Sequence, residues 1–171
     1  MNTDKNLQFI TNRILDTNVA LFHCHTNGLL KIPTNVVKTY RVDDDGCVWF
    51  FMPRPPQLVS QFDKEFPVGL NFFRKGKNYS MNILGKARII YDREELLTLD
   101  LSAEEINNAM NTQLFVSVKI LKVDYYDHDQ ERKNNFLNKI KTFIYGMFDW
   151  AEPDGRSFEF SPTSGIHHYG F

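Results

Sequence analysis

The stretch that decides the fold is Asp43-Asp44-Asp45-Gly46-Cys47-Val48-Trp49-Phe50-Phe51-Met52-Pro53-Arg54-Pro55-Pro56, with the segments that follow it as far as Tyr91. It reads as an acidic turn ending in glycine, an apolar strand, and an arginine set between prolines that breaks the strand. Gln57 to Phe66 comes next, with Leu58, Phe62 and Phe66 at helical spacing. Val68-Gly69-Leu70-Asn71-Phe72-Phe73 and Tyr79 to Ile90 then form a predicted hairpin. Its turn is Lys75-Gly76-Lys77-Asn78, and its second strand is interrupted at Gly85. Successive strand side chains point to opposite faces, so Trp49, Phe50 and Phe51 cannot all enter one core.

Upstream, Leu7, Ile10, Ile14 and Leu15 share one face of a predicted helix behind Thr3 or Asp4 as N-cap. Asp16-Thr17-Asn18 ends it. Val19 to His25 alternates as a strand, and Asn27-Gly28 suits the positive φ of a tight hairpin. The return strand covers Leu29 to Val42, with Pro33 at a bulge or edge position. Downstream, a helical stretch runs from Asp92 to about Met110, its second half opened by a capping box of Ser102 and Glu105. Leu114 to Tyr126 is a last strand. Gln130 to Phe148 has an apolar stripe of Phe136, Leu137, Ile140, Phe143, Ile144, Met147 and Phe148, and is predicted to be an amphipathic helix. Six strands in mostly hairpin order, with helices at the ends, predict an α+β fold built on a closed or nearly closed antiparallel barrel, since closure removes exposed edges.

The chain has 171 residues, which suits one domain burying about two-thirds of its unfolded surface. That domain is expected over residues 1–150, followed by a tail over 151–171 rich in Gly, Pro, Ser and aromatics. With 20 Lys and Arg against 21 Asp and Glu, no overall field draws nucleic acid or an anionic membrane. Cys24 and Cys47 lie inside apolar strand patterns and read as small reduced core residues of a cytoplasmic protein, with a single disulfide as the alternative. No run approaches the roughly 20 apolar residues of a membrane span, and Met-Asn-Thr-Asp-Lys lacks the order of a signal peptide.

Three blocks resemble the pyridoxamine 5′-phosphate oxidase-like family of FMN-binding split barrels, particularly its general-stress-protein branch. They are Asp44-Asp45-Gly46-Cys47-Val48-Trp49-Phe50-Phe51, Phe66-Pro67-Val68-Gly69-Leu70-Asn71-Phe72 and Tyr79-Ser80-Met81-Asn82-Ile83-Leu84-Gly85-Lys86-Ala87. Val123-Asp124-Tyr125-Tyr126-Asp127 is a weaker echo. The resemblance covers roughly residues 10 to 130 and implies a six-stranded antiparallel split barrel with flanking helices. It also implies a homodimer with FMN between subunits, and a tail that packs on the barrel or on the partner. The ring edge is held by backbone amides around Pro33–Val37, and the phosphate by basic and hydroxyl side chains. Arginine suits that last role because it clasps phosphate with two parallel bonds.

The chain departs from the family at the phosphate positions. Asn35 stands where oxidase members carry arginine, Phe51 or Met52 where a hydroxyl is expected, and Gln57 where a helix-entry lysine is expected. Arg54 is the substitute, with Thr34 and Lys31 as further donors. The cofactor contacts expected from the resemblance are Lys31, Thr34, Asn35, Val36, Phe50, Phe51, Met52, Arg54, Gln57 and Leu58. The oxidase-specific arginines and histidine near the C-terminus have no match, so oxidation of pyridoxamine phosphate itself is not expected.

Other signals carry less. His23 and His25 share a strand face, but no further ligands are spaced to complete a metal site. His167-His168 read as exposed tail residues, with a metal or a ligand phosphate as the alternative. Lys75, Lys77, Lys86 and Arg88 around the hairpin read as solvated surface, with a phosphate or anionic-substrate contact as the alternative. No nucleophile–base pair, catalytic carboxylate pair, Gly-rich phosphate loop or Cys-x-x-Cys is present. Any chemistry therefore comes from a bound cofactor. The expected function is hydride or electron transfer between a reduced nicotinamide and a small acceptor. The alternative is a non-catalytic flavin-binding or stress-related module with weakened or lost FMN binding. An oligonucleotide-binding barrel is disfavoured by the balanced charge and the lack of aromatic–basic alternation.

Overall fold

The structure, a computed structural model, describes residues 3–25, 32–56, 64–127 and 141–144. Its elements are α1 (Thr3–Thr17), β1 (Val19–Cys24), β2 (Asn35–Val42), β3 (Cys47–Pro53), β4 (Glu65–Phe72), β5 (Tyr79–Ile90), α2 (Arg93–Thr98), α3 (Ala103–Asn111), β6 (Gln113–Asp127) and β7 (Lys141–Ile144). The strands form an antiparallel sheet in the order β3-β2-β1-β4-β5-β6-β7, and a further β3–β6 pairing closes six of them into a barrel.

Alternation fills the barrel. Ala20 and Phe22 of β1, Val37 and Thr39 of β2, and Val48, Phe50 and Met52 of β3 point inward. They meet Val68, Leu70 and Phe72 of β4, Met81 and Ile83 of β5, and Val116 and Val118 of β6. The acidic turn closes as the sequence predicts. Gly46 takes φ 75°, Asp43 accepts its N–H, and the Asp43 carboxylate accepts from Cys47 N at 2.8 Å and Trp49 Nε1 at 2.9 Å. At Gly85 the strand does not break. The β5–β6 register slips there by one residue, and a Cβ on Gly85 would lie 2.6 Å from the Lys119 carbonyl oxygen. Only glycine fits a bulge approached so closely by backbone.

Helices cover two parts of the barrel. α1 lays Ile10 and Ile14 into the main core, while Leu15, expected on the same stripe, is 48 % exposed. The face shifts by one turn position because Thr17 is buried and its hydroxyl bonds Tyr79. Thr3 and Asp4 fall within α1 rather than ahead of it. A second core outside the barrel joins Trp49, Phe115 and Ile90 to Leu96 of α2 and Ala109 of α3. The single helical stretch expected from Asp92 is two helices. α2 is capped by Asp92, Leu99 is extended, and Ser102 opens α3 with the expected capping box. Leu99 and Leu101 pack into the second core instead of continuing a helix.

Three further expectations are corrected. Pro33 precedes β2, which begins at Asn35, and the irregularity of that strand lies between Thr39 and Arg41. Glu65 and Phe66, assigned to a helix from Gln57, begin β4, where Phe66 is 3 % exposed in the core. Lys141–Ile144, assigned to a helix from Gln130, is a strand paired with Lys122–Tyr125 of β6. β3 covers that edge of β6 only from Gln113 to Lys119, so the backbone groups beyond are open to another strand. Thr142, Phe143 and Ile144 are residue types suited to fill it. The Asn27-Gly28 turn, residues 57–63, the rest of the predicted C-terminal helix, His167-His168 and the 151–171 tail lie outside the described residues.

Candidate functional site

The outer faces of β1 and β2 carry the residues that the pleat turns away from the barrel. In register, Val19 of β1 stands beside Lys38 of β2, and Lys38 beside Phe51 of β3; Leu21 stands beside Val36. Where this face meets the end of α1 lies an open groove of about 680 Å³, lined by Leu15, Asn18, Lys38, Thr39, Tyr40, Phe51 and Gln113. That volume is within the range of small-molecule and cofactor sites.

Asn18 positions the helix end of the groove. It adopts φ 59°, a left-handed conformation asparagine tolerates, and receives the helix C-terminus through its N–H to the Ile14 carbonyl at 2.7 Å. Its own carbonyl accepts Thr39 N at 3.0 Å, which ties α1 to β2 beneath the groove.

The opposite wall is aromatic. The Tyr40 ring meets Phe51 edge-on at 5.5 Å and Phe115 at 5.8 Å. Phe51 lies 4.5 Å from Phe115, which stacks on Trp49 at 5.2 Å. The Arg41 guanidinium sits 4.8 Å over the Trp49 ring. Burial of the Tyr40 phenol, and the neighbouring Glu105 carboxylate, push its pKa up. Glu105 is the capping-box residue of α3, and its bonds to Ser102 lower its own pKa. Tyr40 thus offers the groove a ring, with its hydroxyl near the Glu105 carboxylate.

Lys38 is exposed and joins no salt bridge among the described residues. Aromatic and aliphatic walls, one free cation and the amides of Asn18 and Gln113 suit a planar, partly apolar ligand carrying negative charge. Among the described residues, Lys38 and Tyr40 are the ionisable side chains of this lining, and no carboxylate, thiol or imidazole is part of it.

Of the residues expected from the sequence, Phe51 lines the groove. Val36 follows on the same face, 71 % exposed. Thr34 is exposed ahead of β2, and the Asn35 amide donates to the Pro33 carbonyl at 2.8 Å. The Phe50 and Met52 side chains turn into the barrel core, as the pleat demands of β3. Arg54 is placed elsewhere. Its Nη2 donates to the carbonyls of Ala109 and Met110 at 2.8 and 3.0 Å, at the C-terminus of α3, and its Nε is buried with no partner among the described residues. Lys31, Gln57 and Leu58 lie outside the described residues.

Sequence reasoning missed Leu15, Asn18, Lys38, Thr39, Tyr40 and Gln113. The alternation of Val36, Lys38 and Tyr40 was the available signal, because it marks the outer face of β2. The expected histidine pair is present as packing. His23 and His25 rings lie 4.5 Å apart, and a Cβ on Gly69 would fall 2.3 Å from the His23 ring. Burial and the neighbouring His23 lower the His25 pKa. No cluster of three metal-ligating side chains occurs among the described residues. Three of the hairpin cations are ion-paired, Lys77 to Asp16 at 2.5 Å, Arg88 to Glu95 at 2.6 Å and Lys86 to Glu65.

No family model matches the chain, and no curated protein matches it in sequence. Solved structures do match. One is a protein from Clostridium acetobutylicum related to general stress protein 26 of B. subtilis, of the pyridoxinephosphate oxidase family, with a TM-score of 0.58 and 17 % identity over 83 % of this chain and 96 % of that one. Another is the general stress FMN/FAD binding protein of the phytopathogen Xanthomonas citri, with a TM-score of 0.53 and 15 % identity over 82 % of this chain and 99 % of that one. At such identities the likeness defines architecture. The fold is the α+β split barrel of the general stress and pyridoxamine phosphate oxidase-like proteins. Among the described residues no helix is long and apolar enough to cross a membrane.

Proposed function

We propose that the groove binds a flavin, FMN in the first instance, and that the protein passes hydride between a reduced nicotinamide and a small acceptor. The observation carrying this reading is the groove itself, with aromatic walls from Tyr40 and Phe51 and a free cation, Lys38, on a split barrel whose solved counterparts include an FMN/FAD binding protein. The donor set fits such a group, since a flavin presents an apolar ring face, a hydrogen-bonding carbonyl edge and a negative charge. When bound, a flavin supplies the hydride chemistry that the side chains lining the groove do not. Those side chains flank the ring, exclude water from one face, and set its orientation through Asn18 and Gln113.

A second copy of the chain completes the site in this reading. Val19, Leu21, Val36 and Phe73 leave a large apolar area exposed beside the groove, with Val36 71 % and Phe73 69 % accessible. Such a patch suits an interface. A second reading is a flavin-holding module without turnover, since the described lining offers Lys38 and Tyr40 as its ionisable side chains.

Titration with FMN, followed by flavin fluorescence and absorbance near roughly 450 nm, tests the first step. One FMN per chain supports the proposal, and protein that takes up none overturns it. Rapid reduction of the bound flavin by NADH or NADPH separates the oxidoreductase from the holding module.

A further inference from the structure

We infer that Lys38 is the residue that meets the negative charge of the groove's ligand, in place of the Pro-bracketed Arg54. The inference rests on the flavin reading above and assigns a role within it. Arg54 is spent on the C-terminal carbonyls of α3. Lys38 stands in the middle of the groove face, with Val19 beside it on β1, Phe51 beside it on β3, and Val36 and Tyr40 flanking it along β2. Glu105, the carboxylate beside Tyr40, accepts from the Ser102 backbone N–H, and Lys38 joins no ion pair among the described residues.

A compact ammonium set among apolar groups and left without a counter-ion is matched by an anion arriving with the ligand. Their attraction grows as the ring and the partner surface displace water. A flavin offers negative charge from two sources. One is the phosphate ester. The other is the ring itself, which is anionic after taking up two electrons and one proton. Lys38 serves one of these, and the experiment tells them apart.

Wild type, Lys38→Met and Lys38→Arg are titrated with FMN and with riboflavin, which lacks the phosphate, and the midpoint potential of the bound flavin is measured for each. Lys38 is exposed, so neither variant is expected to lose the fold, and thermal melts verify this. If Lys38 meets the phosphate, Lys38→Met weakens FMN about 10- to 100-fold, the loss of one charge-assisted hydrogen bond, and leaves riboflavin unchanged. If it meets the reduced ring, Lys38→Met leaves oxidised FMN affinity nearly intact and moves the midpoint potential to more negative values. Lys38→Arg restores either effect. A Lys38→Met protein with unchanged FMN-over-riboflavin preference and unchanged potential overturns the inference, as does an equal loss of both flavins without a change in potential. Wild-type protein that binds neither flavin overturns instead the reading on which the inference rests.

Discussion

Tyr79 does at one position what α1 needs along its length. Its hydroxyl donates to the Asp16 carboxylate at 2.6 Å and lies 3.2 Å from the Arg13 carbonyl and the Thr17 hydroxyl, while the Arg13 guanidinium rests 4.7 Å over its ring. Lys77 and Tyr79 lower the pKa of Asp16. A carboxylate with a depressed folded pKa stabilises the fold above its unfolded value, about pH 4, and that contribution fades as acid protonates it below. Asp16→Asn is therefore expected to flatten the acid limb of a stability–pH curve below about pH 4. Chemical denaturation at stepped pH measures this. At Gly85 the reason for glycine is backbone proximity rather than φ. Gly85→Ala is expected to cost about 1–3 kcal/mol by forcing β5 from β6. Gly76→Ala isolates the other cause. No atom lies within 4 Å of the added carbon, but its φ of 88° strains any L side chain, so the melting temperature should fall there too, for backbone conformation alone.

At the scale of elements, Arg54 and Ser102 hold opposite ends of α3. Arg54 neutralises the carbonyl end, and Ser102 with Glu105 closes the amide end. Ser102→Ala is expected to lower stability by about 1 kcal/mol. Arg54→Met is expected to lower the melting temperature yet leave the FMN affinity of the folded protein as it was; a large affinity loss would return Arg54 to the ligand. The element order was legible in the sequence because alternation in β3, β4 and β5, the Asp-rich turn and the Ser102 capping box are local signals. β7 was not legible. The spacing of Phe143 and Ile144 is compatible with a helix, and what selects a strand is an open edge of β6 some twenty residues earlier in the chain. Arg54 misled for a similar reason. Two prolines announce a rigid arginine, but only the fold shows that it faces the end of a helix.

For the molecule as a whole, the barrel divides its outer surface into a helix-covered half over β3 and β6 and an apolar half over β1 and β2. The groove lies at their border. Because Val36 faces outward, Val36→Glu should leave the melting temperature nearly unchanged while converting a dimer to a monomer in light scattering after size-exclusion chromatography. Wild-type protein that is monomeric at micromolar concentration would remove the second copy from the site. The site was less legible than the fold because its lining comes from four separate elements, α1, β2, β3 and β6, and from the Asn18 link after α1, of which β3 alone contributed a residue that motif reading could name.

Glu105, in the first turn of α3, lies close enough to Tyr40 to raise the pKa of its phenol. One carboxylate therefore caps a helix and sets the electrostatic surroundings of a ring that lines the groove, so the two are thermodynamically linked. A ligand that steadies Tyr40 steadies Glu105, and by reciprocity a firmer helix start favours the bound ring. Amide hydrogen exchange would report it as slower exchange at Glu104 and Glu105 on ligand binding, an effect absent from Tyr40→Phe. Occupancy of the groove would then be readable from a helix that the ligand never touches.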